Sequence, residues 1–273
     1  MHIRDKMKLM YETPVHSWHE HVWFRSLQNP VLNVEHLERQ MEVFDRLGFD
    51  KIVVSLPITA MKRCSAELFK LANAAVYEAM KRYPDKVYGM AYVHAGYLQD
   101  ALDEIDHCVQ DLGMVGVKLY RDYFMDDPVQ NPIIEKCIHL DVPILMHVMH
   151  NTDAPTVLLN PLTSTGVHMA NAAKRYPEAV FQMGHFTITE WEYQLKAIAP
   201  YPNIYTDMSG SAYDRPQMER AVEMLGADRI LFGTDESIVS SVGKLLGADI
   251  SEADKKTILE GRAFNRFFEK AGG

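Results

Sequence analysis

Short apolar runs alternate with helix-patterned segments eight times along this 273-residue chain, and no other feature narrows its fold so far. The runs are HSWHEHVW (16–23), DKIVVSLP (50–57), KVYGMAYVH (86–94), MVGVKLYR (114–121), VPILMHVM (142–149), AVFQMGHF (179–186), NIYTDMSG (203–210) and ILFGTDES (230–237). Between them lie stretches such as VEHLERQMEVFDRLGF, in which Leu37, Met41, Phe44 and Leu47 recur at helical spacing. Gly48, Pro84, Gly113, Pro177 and Pro200 fall where helices must stop before the next strand. Ser251 is placed to cap a last helix, SEADKKTILEGRAFNRFFEK. Strict β–α alternation calls for a parallel sheet. Eight such units in about 250 residues match the size of an α/β, single (β/α)8 TIM barrel. An open, doubly wound sheet is the rival, but no G-x-G-x-x-G follows the first strand. No linker, repeat or low-complexity stretch interrupts residues 1–273, which are expected to form one domain.

Composition excludes several function classes. Hydrophobic residues make up 47% and charged ones 24%, the balance of a globular chain with a real core. Lys+Arg 28 against Asp+Glu 37 leaves a net charge of −9 and no basic stripe, which argues against nucleic acid as a partner. MHIRDKMKLMYETP lacks the apolar core of a signal peptide, and no apolar run approaches the ~18 residues that span a bilayer. Cys64, Cys108 and Cys137 are odd in number and form no Cys-x-x-Cys, so they read as reduced thiols of a cytoplasmic protein. The 16 methionines read as core filler. A small-molecule substrate is the expected partner, with no membrane, and a homodimer is compatible with this composition.

Chemistry in such a barrel sits at the C-terminal ends of the strands. His19 and His21, two apart on the first strand, share a face, with Glu20 opposite and His16 on the other parity. The fourth strand ends with Lys118 and Arg121, the fifth with His147, the sixth with His185 and the eighth with Asp235. Within strands the parity is regular: Leu145 with His147, Phe181 and Met183 with His185, Leu231 and Gly233 with Asp235. Histidines and an aspartate gathered at one mouth suit a borderline divalent metal, zinc first and manganese as the alternative, with water completing the site. His36, His107 and His139 lie on predicted helices and read as rim or surface residues; His94 and His150 follow strand ends and could touch substrate.

These motifs carry a resemblance. His-x-His on the first strand, followed by YPDKVYGMAYVHAG, LGMVGVKLY, VPILMH, MGH, NIYTDMSG, ADRILFGTD and ILEGRAFNRFF, resembles the amidohydrolase-related family, which includes the decarboxylase of aminocarboxymuconate semialdehyde. The resemblance runs from about residue 15 to 268. It implies a mononuclear site in which His19, His21, His147 and Asp235 hold one metal and His185 acts as acid/base or orients water. Lys118 then either lies beside the site or, carboxylated as in binuclear relatives, bridges a second metal. Two positions depart from the family: Ser17 replaces an aspartate two before the first histidine, and Phe186 and Thr187 replace a glycine pair.

The leading expectation is hydrolysis of a small amide, lactone or ester. A bound metal would lower the pKa of its water from ~15.7 towards ~7, with Asp235 or His185 moving the proton. Non-oxidative decarboxylation of an aromatic or unsaturated acid is the alternative; it ranks second because the family's decarboxylases tend to be longer. A barrel that binds without catalysis predicts a damaged ligand set, and no G-x-S-x-G supports a serine hydrolase. Arg25, Arg63, Arg121 and Arg215 follow strands on the same mouth. With Tyr120, Tyr123, Trp23 and Phe24 they suggest a carboxylated substrate in a partly aromatic pocket, Arg121 being the expected anchor beside Tyr120 and Arg25.

Overall fold

The computed structural model describes residues 3–58, 64–149, 162–188, 190–210, 212, 214 and 216–271. Its strands are β1 (His16–His21), β2 (Lys51–Ser55), β3 (Val87–Tyr92), β4 (Gly116–Leu119), β5 (Ile144–Met146), β6 (Phe181–Met183), β7 (Ile204–Asp207) and β8 (Ile230–Leu231). They pair in parallel in the order β1 to β8. The amide of Trp18 donates to Phe232 O (2.9 Å) and that of Asp235 to His19 O (2.9 Å), joining the last strand to the first. This is the expected (β/α)8 barrel. Each strand lies within one of the apolar runs, and the residues left over at each C-terminal end supply the loops of one mouth.

Helices α1 (Ile3–Glu12), α2 (Val34–Arg46), α3 (Ala66–Arg82), α4 (Leu98–Asp106), α5 (Asn131–Leu140) and α6 (Gly166–Arg175) come from the first half of the alternation. The second half supplies α7 (Trp191–Ile198), α8 (Gln217–Leu225), α9 (Ile238–Gly247), α10 (Glu252–Glu260) and α11 (Asn265–Ala271). Helix starts follow side-chain capping: Asn33, Ser65 and, as expected, Ser251 each accept the backbone N–H three residues on. Helix α1 was not expected, because its charges mask a short apolar stripe. Met10 is nevertheless fully buried, and Met7 and Leu9 pack against the core.

Two cores hold the barrel. Outside the strands, Val54, Val117, Ile144, Phe181 and Ile204 pack against helix faces such as Leu37, Met41 and Phe44 of α2. Inside, Trp18, Val53, Met90, Leu145 and Leu231 fill the bottom, which Phe264, Phe267 and Phe268 close from the C-terminus. The Trp18 and Phe268 rings lie 4.4 Å apart. A register shift between Ser17 and Glu20 in the β1–β2 pairing lets Trp18 plug the bottom while His19, its neighbour, also turns inward. His16 stays at the bottom, bonded to Glu260 O (2.8 Å) and Asn265 Oδ1 (2.9 Å), so its non-ligand reading agrees with the fold. The cysteines are free and buried. Among the described residues, no helix is long and apolar enough to cross a membrane.

Candidate active site

The mouth at the C-terminal strand ends gathers His19, His21, His147, His185, Lys118 and Asp235, as the strand-end reading expects. His21 Nε2 lies 3.0 Å and His19 Nε2 4.0 Å from Asp235 Oδ1. Donor atoms of these three residues all fall within 4.8 Å of one another. His185 Nδ1 stands 3.4 Å from Asp235 Oδ2, and its ring is 4.6 Å from that of His19.

His185 reaches this cluster by a route the parity argument did not give. Phe181 and Met183 face the helices, while Gln182, between them, points into the barrel and donates to Asp207. The histidine enters because its backbone turns left-handed (φ 65°) after Gly184, whose Cα side faces His19. Asp235 is turned by the same device (φ 44°). Non-glycine residues in this region are uncommon and persist only where the surroundings hold them.

Asp207, at the end of β7, is a site residue the sequence reading missed, although it obeys the strand-end rule. It accepts from His19 Nδ1 (3.0 Å), Gln182 Nε2 (2.9 Å), the His185 amide (3.2 Å) and the Ser209 amide (3.1 Å), as well as from the Ser209 hydroxyl. Its lone pairs are therefore spent on orienting neighbours.

The hydrogen bonds fix a consistent set of tautomers. Lys118 Nζ donates to His19 Nε2 (2.9 Å), and Arg121 Nη2 donates to His147 Nε2 (2.9 Å). His147 Nδ1 then donates to His185 Nε2 (3.0 Å), and His185 Nδ1 to Ser209 Oγ (2.8 Å). The Ser209 hydroxyl in turn donates to Asp207, so cationic and imidazole donors converge on one buried carboxylate. His147 thus sits behind His185, its ring 4.4 Å from that of Tyr120, rather than within the trio that surrounds Asp235 Oδ1.

Burial sets the charge states. It holds His19 below its ordinary pKa, helped by the Lys118 ammonium. Burial also drives His147 well down, with His185 adding to the shift, and pushes His185 to about 3. These imidazoles are neutral and carry lone pairs. Burial lowers Lys118 to about 8 against the pull of Asp235 and Asp207. Burial opposes ionisation of Asp207 and Asp235, but the histidines around them keep both carboxyls well below the usual range.

The donor set fits a divalent cation. His19 Nδ1 is tied to Asp207 and His21 Nδ1 lies against Ser55 O (3.3 Å), which turns both Nε2 atoms toward Asp235. Such outer support is how ligating histidines are usually oriented. The ammonium of Lys118 already places positive charge against His19 Nε2. Among the described residues the other grouping is His19, His185 and Asp207, but both oxygens of Asp207 already accept hydrogen bonds, which favours His19, His21 and Asp235 as the group that could hold an ion.

The other expected residues divide. Arg121 lies over Tyr120 (5.3 Å to the ring centre) at the edge of the site. Arg25 is exposed on the loop after β1, and among the described residues its side chain makes no bond to the cluster. Arg63, His150 and Arg215 lie outside the described residues. His94 Nε2 is held by Asp122 (3.5 Å). Trp23 Nε1 donates to Glu236 Oε1 (2.6 Å) at the rim.

Known proteins share this fold. The amidohydrolase family model matches residues 18–261. A gamma-resorcylate decarboxylase of Polaromonas sp. is 25% identical over 295 aligned positions, covering 88% of this chain and 89% of that relative. A 2,6-dihydroxybenzoate decarboxylase from Rhizobium superposes with a TM-score of 0.75 at 22% identity, covering 94% of this chain and 99% of that one. A dihydroxybenzoic acid decarboxylase from Polaromonas sp., with bound manganese and the inhibitor 2-nitroresorcinol, superposes at 0.71 and 22% identity, covering 94% and 97%.

Proposed function

The chain belongs to the amidohydrolase family, and from that membership and its site we propose that it is a metal-dependent, non-oxidative decarboxylase of a hydroxylated aromatic acid. The observation that carries the proposal is the convergence of His19 Nε2 and His21 Nε2 on Asp235 Oδ1, in a chain similar along nearly all its length to a gamma-resorcylate decarboxylase. This reverses the order expected from sequence. Length had favoured the hydrolase, but the chain spans 89% of that relative, so length does not separate the two reactions.

His19, His21 and Asp235 would hold one divalent cation, with His147 beside them through His185. When bound, the ion supplies Lewis acidity and fixes the charge of an anionic substrate. Manganese is the ion bound in the Polaromonas structure, and zinc, expected first, has no comparable support.

The remaining steps fall to the chain's own residues. A hydroxyl ortho to the carboxylate makes the carbon bearing it electron-rich, so that carbon can accept a proton. The substrate's own ortho hydroxyl is the proton source. The neutral His185 imidazole or the ionised Asp235 carboxylate, 3.4 Å apart, would take its proton and pass it to that carbon, and water reprotonates the phenolate once carbon dioxide has left. The bond to the carboxyl carbon then breaks, its electron pair returns to the ring, and carbon dioxide leaves. No oxidant or reductant is consumed. Arg121 and Lys118 supply positive charge for carboxylate and phenolate oxygens, and Tyr120 offers an aromatic wall.

The test is incubation of the manganese-loaded protein with 2,6-dihydroxybenzoate, other ortho-hydroxybenzoates, and a panel of esters, lactones and amides. Release of carbon dioxide with the matching phenol is the expected result. Turnover of the neutral esters, lactones or amides alone would return the protein to the hydrolases.

A further inference from the structure

Glu20, the residue between the two histidines of β1, grips the segment that carries Asp235. Its side chain leaves the barrel wall opposite His19 and His21 and is 1% exposed. Oε1 accepts from Ser17 Oγ (2.7 Å), from the Thr234 amide (3.1 Å) and from the Thr234 hydroxyl. Oε2 accepts from the Glu236 amide (3.2 Å). Thr234 and Glu236 flank Asp235, so a single carboxylate holds both of its neighbours while the Asp235 amide itself goes to His19 O.

The segment needs such a hold. Strand β8 ends at Leu231, four residues short of Asp235, and beyond it the bond from the Asp235 amide to His19 O is the tie to β1. Asp235 and Glu236 are consecutive non-glycine residues in the left-handed region, with φ of 44° and 63°. That conformation persists only where the surroundings over-determine it. The contact set also calls for a carboxylate rather than an amide. Every group facing Glu20 is a donor, and glutamine would set its own N–H2 against one of them.

We propose that Glu20 is a positioning residue: by clasping Thr234 and Glu236 it sets Asp235 at the distance from His19 and His21 that a divalent cation needs. The histidine pair and the T-D-E segment thus interlock through the residue between the histidines. This rests on the reading of His19, His21 and Asp235 as the residues that hold the ion.

The test compares wild type with Glu20→Gln by calorimetric titration with Mn2+, by the visible spectrum after loading with Co2+, and by thermal unfolding. Glu20→Gln should raise the Mn2+ Kd about tenfold or more, in the range seen when outer support of a metal ligand is removed. It should also shift the cobalt bands, which report coordination geometry and which a purely structural role would leave in place. Thr234→Val, which removes only the hydroxyl donor, should raise Kd severalfold. A folded Glu20→Gln protein with the wild-type Kd and spectrum overturns the proposal, whatever its Tm. Should Glu20→Gln fail to fold, Thr234→Val and Ser17→Ala decide it, and unchanged Kd and spectrum in both overturn it. A wild type that takes up neither ion overturns the metal reading, and this proposal with it.

Discussion

His19 Nδ1 lies 3.0 Å from Asp207 Oδ2, a bond that ties β1 to β7 inside the barrel and turns His19 Nε2 toward Lys118 and Asp235. Both residues are fully buried, so water cannot replace either partner. Asp207→Asn keeps the shape but puts an amide N–H2 where one carboxylate oxygen accepts a bond. It should weaken Mn2+ binding by about 10–100-fold, the usual cost of losing such support. Direct titration checks this, and wild-type affinity would show that Asp207 holds the fold without orienting His19.

His21→Ala and Asp235→Ala each delete an atom of the 3.0 Å pair and should lose the ion on dialysis. His185→Asn should keep it and lose most turnover, because the proposed reaction passes its proton through this imidazole. Elemental analysis beside a carbon dioxide assay separates the two outcomes. Mn2+ at a hundredfold its Kd contributes about 2.7 kcal/mol and should raise Tm by roughly 5–10 °C in wild type and in His185→Asn. The same shift in Asp235→Ala would place the ion elsewhere.

The barrel was legible because each strand carries its own apolar run, and the strand-end rule then picked out most of the site. It failed where geometry departs from a regular strand. The register shift in β1 turns both Trp18 and His19 inward, which no period-two pattern can show. Phe181 and Met183 face the helices, so the parity given for His185 does not hold; the left-handed turn brings it to the cluster instead. Asp207 and Ser209 lay in the quoted run NIYTDMSG but escaped, because residues that orient ligands leave no spacing signature.

Close packing around His19 gives a further prediction. A Cβ on Gly233 would lie 3.0 Å from His19 Cβ and 3.3 Å from Asp207 Cβ, and neither residue has room to yield. Gly233→Ala should cost about 1–3 kcal/mol through overpacking and should weaken metal binding by displacing His19. Gly243→Ala is the contrasting case. It lies within α9 with nothing within 4 Å of the added atom, and should stabilise by roughly 0.5–1 kcal/mol. Denaturant unfolding beside metal titration reads both. A Gly233→Ala protein with unchanged metal affinity would show that the His19 ring tolerates a shift.

Arg121 should set the affinity for the substrate's carboxylate. Its Nη2 lies 2.9 Å from His147 Nε2 and its guanidinium 5.3 Å from the Tyr120 ring centre, which places a cation beside an aromatic face. A benzoate presents the same pair of features, a flat ring and an adjoining anion. A hydrogen bond to a charged group contributes about 1.5–3 kcal/mol, or roughly 10–150-fold in affinity. Made equally before and during reaction, it acts on binding rather than on the barrier. Arg121→Ala should therefore raise KM for 2,6-dihydroxybenzoate by at least about tenfold with a smaller fall in kcat. Arg121→Lys, which keeps the charge without the planar fork, should recover only part of that loss. Steady-state kinetics on the three proteins measures the split. An unchanged KM in Arg121→Ala would mean that Lys118 and the metal ion hold the carboxylate without it.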